Sequence, residues 1–144
     1  GGRLVGPTTR WRLPLHPHGG HLMMLLWIAL AGGVGAMARY AVDLALTPRL
    51  ARPGYALALI NISGSLLIGL LAGLITQSLI PTAAATIAMT GFLGGYTTFS
   101  AASLDILETG TREGAGHGLL RALAIPVLAV AACGLGFAVG NLRG

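Results

Sequence analysis

The sequence predicts an all-α membrane protein with four transmembrane helices. Of its 144 residues, 54% are hydrophobic and 9% are charged, and the mean hydropathy is +0.78. A soluble domain usually carries about 25% charged residues. Four apolar segments each reach the roughly 20 residues that a helical span needs. They run over Leu22–Leu46, Tyr55–Ile75, Leu79–Leu107 and Gly118–Leu142.

The segments before and between these spans are too short for a second folded domain. We predict a tail at residues 1–21 and a single four-helix transmembrane domain at residues 22–144. The tail is rich in Gly, Pro, Arg and His and lacks the apolar core of a signal peptide. It is either a native disordered extension or an engineered addition, because Met23 and Met24 stand where a native start would fit.

Charge and cysteine content exclude two classes of function. The net charge is +5 and all nine basic residues are Arg, but no soluble basic domain exists to bind nucleic acid. Arginines that flank membrane spans are the simpler interpretation. A single cysteine, Cys133, permits no disulfide within the chain and makes redox chemistry an unsuitable assignment.

The arginines give little preference for one orientation in the membrane. Four spans place both termini on one side. The first and third loops carry Arg49, Arg52 and Arg112, and the terminal side carries Arg3, Arg10, Arg12 and Arg143. Because this count is nearly balanced, the chain can insert both ways and form an antiparallel dual-topology dimer. A single orientation is the alternative.

The first span contains the motif GGVGAMARY at residues 32–40, whose small residues permit close helix packing. Arg39 within it interrupts the apolar sequence. An arginine there either extends to the membrane surface or forms an electropositive vestibule that gathers anions.

The second span carries a polar stripe. Asn61, Ser65 and Gly69 are spaced by four and therefore share one helix face. Polar groups in hydrocarbon need partners. Two roles remain open for the Asn61 amide: a hydrogen bond between helices, or an N–H donor to an anion beside a permeation path.

The third span contains GFLGGYTTFS at residues 91–100, which predicts a break at the centre of the helix. Glycine, threonine and serine weaken helices, and a broken helix within a membrane is tolerated only where its free backbone groups meet protein or water. Free carbonyls at such a break can bind a small hard cation. An ordinary loop is the alternative.

Two further features have simpler interpretations. Asp105 and Glu108, at the end of the third span, are expected to reach the membrane interface. Pro126 in the fourth span is expected to kink that helix.

Together, GGVGAMARY, INISG (residues 60–64) and TGFLGGYTTFS (residues 90–100) resemble the Fluc (CrcB-like) family of prokaryotic fluoride channels. The resemblance covers about residues 22–142. It implies an antiparallel dimer with two pores in the plasma or inner membrane, and passive fluoride efflux that relieves fluoride toxicity. It implies no enzyme activity.

The resemblance also assigns roles to individual residues. A central Na⁺ would be held by the backbone carbonyls of Gly94 and Thr97 in each subunit. The first pore-lining phenylalanine would be Phe99, the pore amide Asn61 and the vestibule arginine Arg39. We predict a fluoride pore that also includes Ser65 and Ser100.

Two departures from the family pattern affect the pore. The pattern usually continues TTFSTF, whereas this chain reads TTFSAAS and has Ala102 in place of a second phenylalanine. Residues 118–140 contain no Ser or Thr, which many members carry on a polar pore track. Either a different subunit supplies the missing groups in a heterodimer, or a homodimer works with a reduced lining. We favour the heterodimer and expect weak conduction from the chain alone.

Two other function classes were considered. A small four-helix, proton-coupled multidrug transporter needs a membrane-buried carboxylate. The first span has no Glu, and its only Asp, Asp43, lies near its end. The third class is a non-conducting partner of another membrane protein. Fluoride efflux from liposomes separates all three.

Overall fold

A computed structural model describes residues 19–50 and 54–142, and within these ranges every regular element is helical. The predicted tail up to residue 18 lies outside the described residues, as do Arg52 and Arg143. The α-helices are α1 (Gly19–Leu46), α2 (Tyr55–Thr76), α3 (Thr82–Thr86), α4 (Gly94–Tyr96), α5 (Phe99–Glu113) and α6 (Ala115–Asn141).

The first two helices agree closely with the predicted spans. Helix α1 begins at Gly19 rather than at Leu22 and ends at Leu46 as expected. A 3₁₀ turn follows over Thr47–Arg49. Gly54 precedes α2 with φ of +83°, in the left-handed region that glycine adopts without a Cβ clash. Helix α2 continues one residue beyond the predicted Ile75.

The third segment, residues 82–113, is interrupted at its centre. Helix α3, a π-helical stretch over Ile87–Leu93 and α4 form its first half. The backbone is then extended at Thr97 (φ −85°, ψ 151°) and Thr98 (φ −149°, ψ 126°) before α5 begins. The predicted break is therefore present, and it consists of these two threonines.

The glycines that were expected to weaken this helix remain helical, and Gly91 and Gly95 serve packing. A methyl group on Gly95 would lie 2.1 Å from the Gly32 carbonyl oxygen of α1. One on Gly91 would lie 2.8 Å from the Ile28 carbonyl oxygen. The absence of side chains at these positions lets α1 lie directly against the first half of the third segment.

Helices α2 and α6 form the most extensive helix pair. A methyl group on Gly69 would lie 1.9 Å from the Cys133 carbonyl oxygen, and one on Gly136 would lie 2.1 Å from the Leu66 carbonyl oxygen. Helix α6 passes through Pro126 without ending, and α5 packs mainly on α6.

The helices expose many large apolar side chains, as expected for a surface that contacts lipid. Three helical stretches are long and apolar enough to cross a membrane: Gly20–Arg49, Tyr55–Thr76 and Ala115–Asn141. The third segment has no single helix of that length because Thr97 and Thr98 divide it. The chain is a multi-pass membrane protein.

Candidate functional site

A groove of about 420 Å³ lies where α2, the break in the third segment, α5 and α6 meet. Its surface is predominantly apolar, with a few polar groups from α2 and from the break. Its lining includes Asn61, Ser65, Thr97, Thr98, Phe99, Ala102, Ile106, Ala122, Ile125, Pro126 and Ala129. An apolar path with a small number of placed polar groups can host a small ion that passes without tight binding.

Asn61 holds the break in place through two hydrogen bonds. The Thr98 backbone N–H donates to Asn61 Oδ1 at 3.0 Å, and Asn61 Nδ2 donates to the Thr98 carbonyl oxygen at 3.3 Å. The side-chain amide thus satisfies the backbone groups that leave the helix at Thr98. Of the two roles that the sequence allowed for Asn61, the structure shows the hydrogen bond to another helical segment. The second hydrogen on Nδ2 is still available to donate to an anion, so both roles are compatible.

The same hydrogen bond changes the surroundings of the Gly94 carbonyl. In a continuous α-helix this carbonyl would accept from the Thr98 N–H, four residues later. That N–H is directed at Asn61 instead. Thr97 lies just before α5 with an extended backbone, so its carbonyl is outside the hydrogen-bond ladder of that helix. Gly94 is exposed at the surface of the chain.

Thr97 itself is anchored to the preceding turn. Both its backbone N–H and its Oγ1 donate to the Leu93 carbonyl oxygen, at 2.9 and 2.8 Å. These two bonds end the first half of the segment in one defined geometry. The positions of Gly94 and Thr97 are therefore fixed relative to one another.

The predicted pore residues come together only in part. Ser65 and Phe99 line the groove, and Ala102 lies on the same face of α5 as Phe99, as the spacing predicted. Phe99 is 87% exposed, so its ring has almost no packing within a single chain. Ser100 is exposed outside the groove, where its Oγ lies 3.1 Å from Thr98 Oγ1.

The structure does not place Arg39 on the groove. This residue of α1 is partly buried, and its Nε is buried without a hydrogen-bond partner in the described part of the chain. A buried guanidinium N–H without an acceptor has an unsatisfied preference for an anion or a water molecule.

A charged cluster at one end of the groove was missed by the sequence reasoning. Arg121 Nη1 lies 3.1 Å from Asp105 Oδ2 and 2.8 Å from Thr109 Oγ1, and the guanidinium lies over the Tyr55 ring, 4.9 Å from its centroid. Asp105, which was expected to reach the membrane interface, has a side chain that is only 9% exposed because other residues of the chain cover it. Its depth in the membrane stays a prediction. Glu108, by contrast, is exposed.

A signal for this cluster was present in the sequence. Arg121 stands three residues inside the predicted fourth span, so its charge needs a partner. Asp105 lies two residues before the end of the predicted third span. Two antiparallel helices joined by a short loop bring the end of one beside the start of the next. Asp105 and Arg121 were not paired on this basis in the sequence analysis.

Helical membrane segments, a helix break held by a side-chain amide, and an apolar groove beside it define a protein of the small membrane-channel class. Comparison with known proteins is more specific. Residues 26–137 match the family described as CrcB-like protein, Camphor Resistance (CrcB). The chain belongs to this CrcB-like family.

Named relatives support the same placement. The chain is 37% identical over 122 residues to fluoride-specific ion channel FluC 1 of Leifsonia xyli subsp. xyli, covering 83% of this chain and 88% of the relative. It is 39% identical over 123 residues to fluoride-specific ion channel FluC of Magnetococcus marinus, covering 83% and 99%. The FluC of Deinococcus radiodurans is 45% identical over 83 residues, covering 56% and 66%. The predicted family is confirmed.

Proposed function

We propose that this chain is a subunit of a fluoride-selective channel that gives passive fluoride efflux and so protects the cell from fluoride. The observation that carries the proposal is the groove, in which Asn61, the break at Thr97–Thr98 and Phe99 stand together in a chain whose relatives are named fluoride-specific ion channels. These relatives are named as channels rather than enzymes, which supports a role without catalysis.

The chemistry of the groove suits a small, strongly hydrated anion. Fluoride loses much hydration energy on entering an apolar path, so a pore must supply replacement donors without preventing exit. The Asn61 amide offers an N–H beyond the one used by Thr98. Phe99 offers the electropositive edge of its exposed ring. Ser65, on the same face of α2 as Asn61, adds a hydroxyl to the groove lining. A negative cell interior drives the anion outward.

Arg39 and Ser100 lie outside the groove lining. We assign Arg39 to an anion-gathering vestibule because its Nε has no hydrogen-bond partner among residues 19–50 and 54–142. Ser100 follows Phe99 at the exposed start of α5, where it faces the surroundings of the chain. Both assignments need a second subunit to complete the surface.

The functional unit that we propose is an antiparallel dual-topology dimer in the plasma or inner membrane. Two observations support it: the near balance of arginines on the two sides, and the exposure of Phe99 and Gly94 at the break. A second subunit, identical or related, would cover these positions and close the groove. Surface thiol labelling at Thr111→Cys in a Cys133→Ala chain from both liposome faces supports dual topology, and labelling from one face only contradicts it.

The chain alone is expected to release fluoride from liposomes slowly but above the protein-free background. Ala102 supplies no ring, and the α6 wall at Ala122, Ile125 and Ala129 supplies no hydroxyl, so the path offers few substitute donors. A fluoride electrode measures the initial rate per incorporated protein. Rapid, selective efflux would reject the heterodimer and establish a homodimer with a reduced lining. Background rates in the chain alone and with every related subunit would reject the channel.

A structural Na⁺ at the dimer centre is the second part of the proposal. Sodium is a hard cation that prefers oxygen ligands. The Gly94 carbonyl, whose helical donor is turned away, and the Thr97 carbonyl fit such a donor set without any carboxylate. When bound, the ion would neutralise carbonyl dipoles that meet between subunits.

Added Na⁺ is expected to raise the thermal stability of the purified dimer saturably, because an ion that binds only the folded state stabilises it by mass action. The measurement is the unfolding midpoint in Na⁺ and in N-methylglucamine at equal ionic strength. Equal midpoints in both cations would contradict the site, whatever the fluoride flux.

The proton-coupled transporter is disfavoured by the carboxylates of the described residues. Asp43 is partly exposed and accepts from Thr47 Oγ1 at 3.1 Å. The Asp105 side chain is 9% exposed and is paired with Arg121. Neither is an open carboxylate in a substrate cavity, which such a transporter requires.

A further inference from the structure

The Asp105–Arg121 cluster connects three helices at one end of the groove. Arg121 Nη1, on α6, contacts both carboxylate oxygens of Asp105 on α5, at 3.4 and 3.1 Å, and donates to Thr109 Oγ1 at 2.8 Å. Its guanidinium lies over Tyr55, the first residue of α2. The carboxylate in turn packs directly on Gly54, where a Cβ would lie within 2.3 Å of its atoms.

Such a cluster is costly in a membrane protein. The two side chains are only 17% and 9% exposed. Removing two charges from water costs about as much as their pairing returns, so a buried ion pair is poor evidence for stability alone. A charge inside a membrane domain is by default a hypothesis about function.

The cluster also anchors α5 to α6, beside the close backbone approach of Gly118 to Gly110. Among the residues of this helix, Thr109 alone is buried, and Thr109 belongs to the cluster. The break at Thr97–Thr98 removes the continuous backbone that would otherwise hold α5 in line with α4. The direction of α5 therefore depends on what fixes its far part to α6.

Residues of the cluster are directly linked to the groove lining. Arg121 precedes Ile125 by four residues, so both lie on the same face of α6. Asp105 is adjacent to Ile106, and six residues, or about 9 Å of helix, separate it from Phe99. A rotation or tilt of α5 at Asp105 displaces Phe99 and Ala102 relative to Asn61.

We propose that Asp105 and Arg121 are positioning residues for the fluoride path: their ion pair, supported by Thr109 and Tyr55, sets the position of α5 and hence the width of the groove beside Phe99. The inference rests on the proposed function for the identity of the ion. The positioning of α5 itself rests on the contacts above. The pair acts through Phe99 and Ala102, and neither of its members needs to touch the anion.

Transport in proteoliposomes tests the proposal with four variants. R121M and D105N are each expected to lower initial fluoride efflux by up to about a hundredfold, the scale on which a misplacement of about 1 Å acts at a positioned site. R121K, which keeps the charge, should recover part of the rate. The double variant D105N/R121M leaves no unpaired buried charge, so it is expected to fold with normal yield and still conduct slowly.

The matched control is the second ion pair of α5. Arg112 Nη2 lies 3.7 Å from Glu108 Oε2, and these side chains are 69% and 65% exposed. E108Q removes one charge from the same helix without touching the groove, and exposed pairs contribute little. Its efflux rate should equal that of the wild type.

Hydrogen exchange provides a readout that does not depend on transport. In D105N/R121M, amides of residues 99–106 should exchange faster, while amides of α2 keep their wild-type rates. Slow flux with unchanged exchange would overturn positioning and place Arg121 on the anion itself. Unchanged flux and exchange would overturn it as well. If wild-type protein conducts no fluoride but the exchange difference appears, the positioning of α5 stands and the proposed function fails.

Discussion

Replacing Asn61 by Ala is expected to lower fluoride efflux by roughly a hundredfold, the scale seen when one preorganised donor to a developing anion is removed. The amide has two tasks that Ala cannot perform. It offers an N–H to the ion, and it closes the break through its two hydrogen bonds to Thr98. Without it, the partly buried Thr98 N–H loses its acceptor, and an unsatisfied buried donor costs about 1–3 kcal/mol.

Two further variants separate these tasks. Asn61→Asp keeps an acceptor for the Thr98 N–H but places a negative charge on the anion path, so we expect a folded protein without flux. Ser63→Ala is the control in the same helix, because Ser63 does not line the groove. Its Oγ donates to the Ile60 carbonyl oxygen at 3.0 Å and lies 3.4 Å from Tyr96 Oη, so this variant removes a polar contact near the break without touching the groove. Efflux and the chromatographic profile in detergent are measured together. Normal efflux in Asn61→Ala would remove this amide from the path.

Much of the fold follows from apolar length. The predicted second span differs from α2 by one residue, and the predicted ends of the first and fourth spans lie within three residues of the helix ends. These boundaries are readable because the apolar runs are long and are ended by Pro, Gly and charged residues. The third segment is readable as interrupted for the opposite reason, since its polar and small residues cluster in its middle.

The location of the break was less predictable. Gly94 and Gly95 have weak helix propensity, yet both are helical, whereas Thr97 and Thr98 are extended. The outcome depends on tertiary contacts: Gly95 packs on the Gly32 backbone, and Asn61 accepts the Thr98 N–H. Local propensity contains neither contact, so it identifies the weak region but not the residues that leave the helix.

The groove was predictable in its α2 and α5 residues but not in its charged end. Asn61, Ser65 and Phe99 stand in recognisable motifs, whereas Arg121 and Asp105 belong to none of them. Their role depends on which helices are neighbours and how they are rotated. That information comes from α5 packing on α6 across the turn at Gly114, whose φ of +101° favours glycine.

Gly136→Ala is expected to disrupt folding of the whole domain. The added methyl would lie 2.1 Å from the Leu66 carbonyl oxygen and 2.9 Å from the Leu70 amide nitrogen, both backbone atoms of α2. A clashing side chain could adopt another rotamer, but these backbone atoms of α2 cannot move without moving the helix. The added methyl group therefore forces α2 and α6 apart. Overpacking typically costs about 1–3 kcal/mol, and here it also reduces contact along the most extensive helix pair.

Gly134 provides the matched control for this change, two residues earlier in the same helix. A methyl group there meets nothing within 4 Å. Gly134→Ala should therefore be neutral or slightly stabilising, since alanine favours a helix by up to about 1 kcal/mol over glycine. The measurement is the yield of monodisperse protein and its unfolding midpoint in one detergent. We expect Gly134→Ala to match the wild type and Gly136→Ala to lose most of the folded protein. Equal stability of the two variants would show that α2 and α6 do not cross at backbone contact, and the groove between them would then need a different wall.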